Sequence, residues 1–459
     1  MSPTDALAGL WRLGQLPADA LGRVSLTGVD PVLPSSFRVG TAAQASIAAA
    51  ALAATELGIL RGQPGQGVTV DMAHAAAECS AWFSIDDRVP EVWDKFSGLY
   101  RCADGWVRIH TNFAHHRAGA LKLLGLDAEQ AQRADVQQAL LGWKAEQFEQ
   151  AAADSGMVVA AARSFDAWDA HPQARIIAGQ PLVSFERIGD APARRWAGLA
   201  PTDLPLRGVR VLDLTRILAG PVGGRTLAAY GADVLLVNAP HLPNIESIAE
   251  TSRGKLSALL DLHDASGWAG LDALLATGHV FIQGYRPGAM DALGFGAAAI
   301  TARHPGMVCV SLSAYGDAGP WGERRGFDSL VQTATGFNLA EAQAAGAAEP
   351  RALPVQILDY ATGFLMAFAT SAALLRQARE GGSWHVRLSL ARTALWLRQL
   401  GRLSDGFSVG KPDRSPYVES VDSGFGRLAA VRHSAQFSRT PVAWVRPSMP
   451  PGSHPPRWP

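Results

Sequence analysis

The stretch 206–240, LRGVRVLDLTRILAGPVGGRTLAAYGADVLLVNAP, constrains the fold of this chain more than any other. Residues 209–214 form a β-branched, apolar run; a Gly/Pro turn follows, then an alanine-rich helical run, then a second short apolar run at 233–237. That order is one βαβ unit, which needs a parallel sheet and a crossover helix. The turn RILAGP brings free backbone N–H groups and the positive end of a helix to the strand's carboxyl end, which suits a phosphate-bearing ligand. It is not a G-x-G-x-x-G, so no dinucleotide fingerprint is present.

The same rhythm continues downstream. SRGKLSALLDL (252–262), HVFIQGYRPGAMDALGFG (279–296) and GMVCVSLSAYG (306–316) each supply a strand, and helical segments lie between them. The units predict an α/β fold: a doubly wound, mostly parallel, Rossmann-like sheet whose ligands lie beyond the strand carboxyl ends. Upstream, GLYRCADGWVRIH (98–110) reads as a hairpin turning at 103–105. Helical segments over about 115–165, with Trp143, Phe148 and Trp168 as core anchors, complete a smaller α+β domain. Residues 1–35 read as an irregular N-terminal segment and 191–205 as a polar, Pro-bearing linker.

At 459 residues, two or three domains with a sizeable core are expected. Lys+Arg and Asp+Glu both total 41, so charge gives no case for nucleic acid or an anionic membrane as partner. Cys79, Cys102 and Cys309 are too few and too far apart for a disulfide framework, which points to a reducing, cytoplasmic setting. No basic region followed by an apolar core opens the chain. The apolar run 361–375 is shorter than the roughly 20 residues a bilayer needs. It reads as a buried helix. His110, His115 and His116 have no acidic or Cys partner at ligand spacing, so no metal is expected and they read as surface or core residues. Residues 357–390 echo 35–72: helix, Gly-rich break, alternating strand, with Val39 or Thr41 opposite Asp359.

Taken together, GVRVLDLTRILAGP, GADVLLV, RGKLSALLDL, GYRPGAMDALG, VSLSAYGDAGPWG, GFDSLVQTATG and ILDYATG, in that order over roughly 206–390, resemble the class III CoA-transferases. That family includes formyl-CoA and carnitine CoA-transferases and α-methylacyl-CoA racemases. The hairpin 98–110 and HPQARIIAGQ resemble the family's smaller domain, here placed before the nucleotide-fold half. Partial duplication and circular permutation both account for this order, and the repeated helix-strand element favours a truncated tandem fusion: a partial first copy over 36–190, the linker, a CoA-binding second copy over 206–400, and a tail, 401–459, packing on the large domain.

The resemblance also implies site residues. Asp359, at a helix start, matches the family's catalytic Asp and would attack an acyl-CoA as nucleophile; its structural role would be that of an N-cap. Arg286 in GYRPG is placed to pair with a CoA phosphate, as are Arg253 and Lys255 in SRGK and Arg325 before GFD. Leu218, Gly220 and Pro221 would shape the loop along which the CoA chain approaches the backbone. Leu256, Asn238 and Ala239 depart from the family's basic and acidic residues. Phe327 stands where the racemase branch has His, and α-proton exchange needs a titratable group on each face, so racemase chemistry is not expected. Asp328 is expected to be structural.

The implied activity is CoA transfer between carboxylic acids through an aspartyl-acyl anhydride and an aspartyl-CoA thioester. An acyl-CoA and an acceptor acid are the substrates, no cofactor is held tightly, and the assembly is a homodimer. A catalytically impaired CoA-binding subunit, a lyase or racemase of the same superfamily, and a nicotinamide oxidoreductase are the alternatives.

Overall fold

The computed structural model describes residues 1–459. Along the chain come β1 (Val24–Thr27), β2 (Val68–Asp71) and β3 (Phe83–Ile85), then a smaller domain with β4 (Gly98–Arg101), β5 (Trp106–Ile109) and β6 (Val159–Ala161). A strand β7 (Ser184–Gly189) returns the chain to the large domain. There β8 (Arg210–Leu214), β9 (Asp233–Asn238), β10 (Leu256–Leu259), β11 (Val280–Gln283), β12 (Val308–Ser313) and β13 (Ser383–Ser389) follow. The tail adds β14 (Val418–Ser423), β15 (Gly426–Val431) and β16 (Ala435–Phe437).

The central sheet runs β10-β9-β8-β11-β12-β13-β7, all parallel except the last pair. Its strands are apolar on both sides because helices cover both faces. Strand order reverses between β8 and β11, so their carboxyl ends flank the crevice where a doubly wound sheet binds ligands. β4, β5 and β6 make a separate antiparallel sheet around its own core of Phe96, Tyr100, Val107 and Phe148.

Two long helices, Val39–Leu60 and Ile357–Glu380, pack on one another in the largest core. With 22 and 24 residues they are long and apolar enough to cross a bilayer, yet 89% and 100% of their apolar windows are buried inside the protein. The run 361–375 is therefore part of a longer helix than its apolar residues alone predict. Apolar residues all round suit a helix enclosed by protein.

Three expectations need correction. Residues 1–35 are not irregular: they hold the helix Pro3–Gly14, capped by Ser2, and β1, which pairs parallel with β2. The tail does more than pack on the large domain. β14 and β15 form a hairpin that β3 joins, and β16 pairs antiparallel with β2. Further on, His454 bonds Ser257 along the β10 edge and the Trp458 indole donates to the Leu274 carbonyl. The echo also starts earlier than residue 35. β1 and β2 flank the first long helix as β12 and β13 flank the second, and β16 borders β2 as β7 borders β13.

Candidate active site

At the carboxyl ends of β8, β11 and β12 a cleft of about 330 Å³ opens between the large sheet and the smaller domain. β8 supplies Leu214 and the loop Arg216, Ile217, Leu218 and Ala219; β11 leads into Gly284, Tyr285, Arg286 and Pro287; β12 gives Leu312 and Ser313. Phe113, His115 and His116 come from the smaller domain, and Arg324, Arg325, Gly326, Phe327 and Asp359 complete the wall. Asp359 is thus in the cleft with Arg286, Arg325 and Leu218. Gly220 and Pro221 lie just behind, fully buried in the first turn of the helix Ala219–Ala229.

The β8 loop is held in a fixed shape. Ile217 has φ of 77°, a left-handed conformation that is strained for a β-branched residue and is tolerated where surrounding structure fixes it. Gly220 has no room for a side chain, since a Cβ there would lie 2.5 Å from Thr215 Cβ. The helix that follows has no capping side chain, so its first N–H groups are left to water or a ligand.

Lys255 and Arg253 are not in the cleft. Lys255 is fully buried; its Nζ donates to Asp213 Oδ2 and to the Pro221 carbonyl, both at 2.8 Å. It ties the β8 loop to the sheet instead of meeting a phosphate. Arg253 is also buried, paired with Glu250, 3.5 Å from Glu419 and stacked 3.8 Å over Trp444. Neighbouring positions in the SRGK turn gave no sign that both side chains point inward.

Asp359 is the third residue of its helix, not its N-cap; Gln356 occupies that position and makes no side-chain cap bond. Asp328, from the helix Asp328–Ala334, takes over that work: its Oδ2 accepts the Asp359 N–H at 2.9 Å, and Gln332 donates to its other oxygen. Asp328 is therefore structural, as expected, and it holds the first turn carrying Asp359. Burial pushes the Asp328 carboxyl up to about 6 despite these donors. Burial, and then the neighbouring Asp328 charge, push the Asp359 carboxyl well above the ordinary carboxylate value.

Arg286 lines both this cleft and an adjoining polar hollow with Arg324 and Arg325. Arg324 lies over Trp321 at 4.2 Å and 3.6 Å from Glu149, and Arg325 reaches the Gly156 carbonyl at 3.4 Å. These arginines give the cleft mouth a positive rim, and Asp359 is the one acid among the lining residues. Phe327 faces the cleft and stacks on His110 at 3.9 Å, so the position offers an aromatic face and no proton carrier.

Arg216 and Tyr285 also line the cleft without having been singled out from sequence, and so does His116, which was read as a surface or core residue. Arg216 and Tyr285 lie inside the motifs RILAGP and GYRPG, which was the available signal. His116 was set aside because no acidic or Cys partner stands at metal-ligand spacing from it.

Residues 206–419 match the protein-family model described as CoA-transferase family III. A probable fatty acyl-CoA transferase of Mycobacterium tuberculosis is 34% identical, over 42% of this chain and 52% of its own length. A succinate–glutarate CoA-transferase of Agrobacterium fabrum is 30% identical, over 51% of this chain and 65% of its own length. The mouse succinyl-CoA:glutarate CoA-transferase is 32% identical, over 43% of this chain and 50% of its own length. The chain thus spans about half the length of the curated relatives it matches. Over residues 206–419, somewhat under half of its length, the chain is similar to CoA-transferase family III.

Proposed function

We propose that this chain moves CoA between carboxylic acids, with Asp359 as the nucleophile. The observation that carries the reading is a single carboxylate exposed to a cleft rimmed by arginines, at the switch point of a doubly wound sheet. An Asp359 oxygen attacks the thioester carbonyl; the C–S bond breaks, CoA leaves as thiolate, and an aspartyl-acyl anhydride remains. The thiolate then attacks the Asp359 carbonyl carbon, releasing the donor acid and leaving an aspartyl-CoA thioester. The acceptor carboxylate collects CoA by the reverse steps, so the covalent route divides one transfer into smaller barriers. The first-turn N–H groups of the helix Ala219–Ala229 are suited to the developing oxyanion. Arg286 and Arg325 are suited to the CoA phosphates. CoA is a co-substrate here and no resident cofactor is part of the scheme.

The test is peptide mass spectrometry after incubation with a panel of acyl-CoAs, with hydroxylamine present to trap an activated carboxylate as the hydroxamate. A hydroxamate on the peptide carrying Asp359, together with a loss of at least about a thousandfold in turnover for Asp359→Ala, is expected. CoA binding with no adduct from any donor would instead favour a CoA-binding subunit without turnover. The burial of Arg253 and Lys255, which leaves fewer cations for CoA, motivates that second reading. A homodimer, implied by the family resemblance, is part of the proposal; a one-chain mass in sedimentation velocity would remove it.

A further inference from the structure

On one face of the central sheet the strands turn polar toward their carboxyl ends. Alternation along β12 and β13 puts Ser311 and Ser313 on the same face as His385, Arg387 and Ser389. The register sets Gln283 beside Ser311, Ser311 beside Arg387 and Ser313 beside Ser389. These residues line a second cavity, of about 350 Å³, and Arg392 from the helix Leu390–Gln399 completes it. The cavity shares Tyr285, Pro287, Leu312 and Ser313 with the Asp359 cleft but contains neither Asp359 nor Arg286.

Four side chains there have donors to spare. The Gln283 carbonyl oxygen accepts the Tyr285 N–H at 2.9 Å, which leaves its amide N–H groups free. Ser389 Oγ accepts the Arg392 N–H at 3.2 Å and keeps its own proton to donate. Arg392 Nε donates to the Gln180 carbonyl, while Nη1 is buried without a partner. Ser311 Oγ lies 2.9 Å from His385 Nε2, a spacing that suits a nucleophile and its base. The ring is not a base here. An arginine can only donate, so Arg387 Nη1, 3.2 Å from His385 Nδ1, fixes the proton of the neutral ring on Nε2. Burial and the Arg387 charge hold His385 down at about 4, so at pH 7 it donates to Ser311 and leaves the Ser311 hydroxyl free to donate in turn. Arg387 itself is taken up by Glu186 at 2.6 Å and Asp317 at 3.4 Å, whereas burial lowers the Arg392 value with no neighbouring acid to offset it. Asp291 and Asp317, the acids of the lining, are exposed. Buried polar groups in folded proteins are almost always partnered, and donors grouped around one unpaired guanidinium suit a ligand that only accepts.

We propose that this second cavity is a binding site for a small oxyanion, a carboxylate or a phosphate, held by Arg392 Nη1 together with Gln283, Ser311 and Ser389. The site is separate from the Asp359 cleft and does not depend on the CoA-transfer reading. CoA carries phosphates of its own, so the probes are simple salts.

Histidine-ring NMR of the full chain reads the site, with the His385 signal assigned by its loss in His385→Gln. Titration with sodium acetate and, separately, with sodium phosphate, against sodium chloride at matched ionic strength, is expected to shift that signal through Ser311. Arg392→Gln should weaken the response at least about tenfold, while Arg286→Gln, which alters the CoA cleft, should leave it within about twofold. Acetate acting alone identifies the ligand as a carboxylate and phosphate acting alone as a phosphate; either result, or both salts acting, supports the site. No shift from either salt overturns the proposal, as does a response that survives Arg392→Gln or one that is lost in Arg286→Gln. If Arg392→Gln does not fold, isothermal titration calorimetry of Ser311→Ala with the same salts replaces it. A weaker affinity than wild type supports the site, and an unchanged one overturns it.

Discussion

Asp359 combines burial with a carboxylate neighbour, and both effects have measurable signs. Because its carboxyl is held above the ordinary value, the anion that the proposed attack needs is gained only as pH rises past the usual carboxylate range, so the rate of hydroxamate formation should climb on the acid side. Asp328→Asn removes the charge next to it and should move that acid limb to lower pH; an unmoved limb would show that burial alone sets it. The linkage runs the same way for stability. A folded-state value above the unfolded one means that the native state binds more protons, so stability falls as pH rises through that range. Asp359→Asn should therefore raise stability at pH 8 by about 1 kcal/mol or more, with the gain shrinking as pH falls and vanishing only below the unfolded carboxylate value of about 3.9, as read by urea denaturation across that range. Asp359 was legible in the sequence because the motif ILDYATG carries it. Arg253 and Lys255 were placed in the wrong surroundings because a basic turn says nothing about which way its side chains face. His116 was read only as a surface or core residue, since what sets it apart is the absence of a partner, which only coordinates reveal.

Among the elements, the two long helices repay comparison. Each begins after a residue with nearly the same backbone, Arg38 at φ −78°, ψ 60° and Gln356 at φ −78°, ψ 62°. In each, the third residue donates its N–H to an aspartate from an earlier segment: Thr41 to Asp30 at 3.0 Å, Asp359 to Asp328 at 2.9 Å. That correspondence settles the register of the echo, placing Thr41, not Val39, opposite Asp359. Thr41 also donates its hydroxyl to Asp30 at 2.6 Å, so the first helix carries a hydrogen-bonding residue where the second carries Asp359. The echo was visible in sequence through its helix and following strand; β1 was hidden because a four-residue strand between Pro- and Gly-rich segments has too few residues for period-two alternation to register. The second helix also crosses the helix Ala219–Ala229 closely. A Cβ at Gly363 would lie 2.5 Å from the Ala219 carbonyl oxygen and 2.8 Å from Val222 Cβ. Gly363→Ala should force these helices apart at a cost of about 1–3 kcal/mol and, because Ala219 lines the cleft, raise KM for the acyl-CoA several-fold. An unchanged KM beside lost stability would show that the β8 loop is held independently of the helix crossing.

Across the whole molecule, one buried charge cluster joins three distant parts of the chain. Glu78, at the end of the helix after β2, faces Arg225 NH2 at 3.1 Å and His433 Nδ1 at 2.8 Å, and its other oxygen accepts from the Ser434 N–H and hydroxyl at 2.8 Å. Arg225 also pairs with Glu250, and Glu250 with Arg253, which stacks on Trp444 of the tail. Although burial pulls the other way, His433 and Arg225 hold the Glu78 carboxyl well below the usual carboxylate range. The α/β fold and its mostly parallel sheet followed from the βαβ rhythm, since successive apolar runs with helices between them leave few parallel arrangements. The contact between residue 78 and the tail did not, because no local pattern links positions that are more than 350 residues apart. A pair of this kind contributes little net stability while intact, but removing one partner leaves the others charged and dry. Glu78→Gln should therefore cost about 3–5 kcal/mol in urea denaturation, far more than a surface substitution. Because Glu78 binds Ser434 and His433 directly, the first region to yield should be the tail. Limited proteolysis of the variant should then cut within residues 401–459 before any cut in the central sheet. Simultaneous loss of both regions would mean that tail and sheet unfold as one unit, and a cost below about 1 kcal/mol would mean that Arg225 finds its compensation in Glu250 alone.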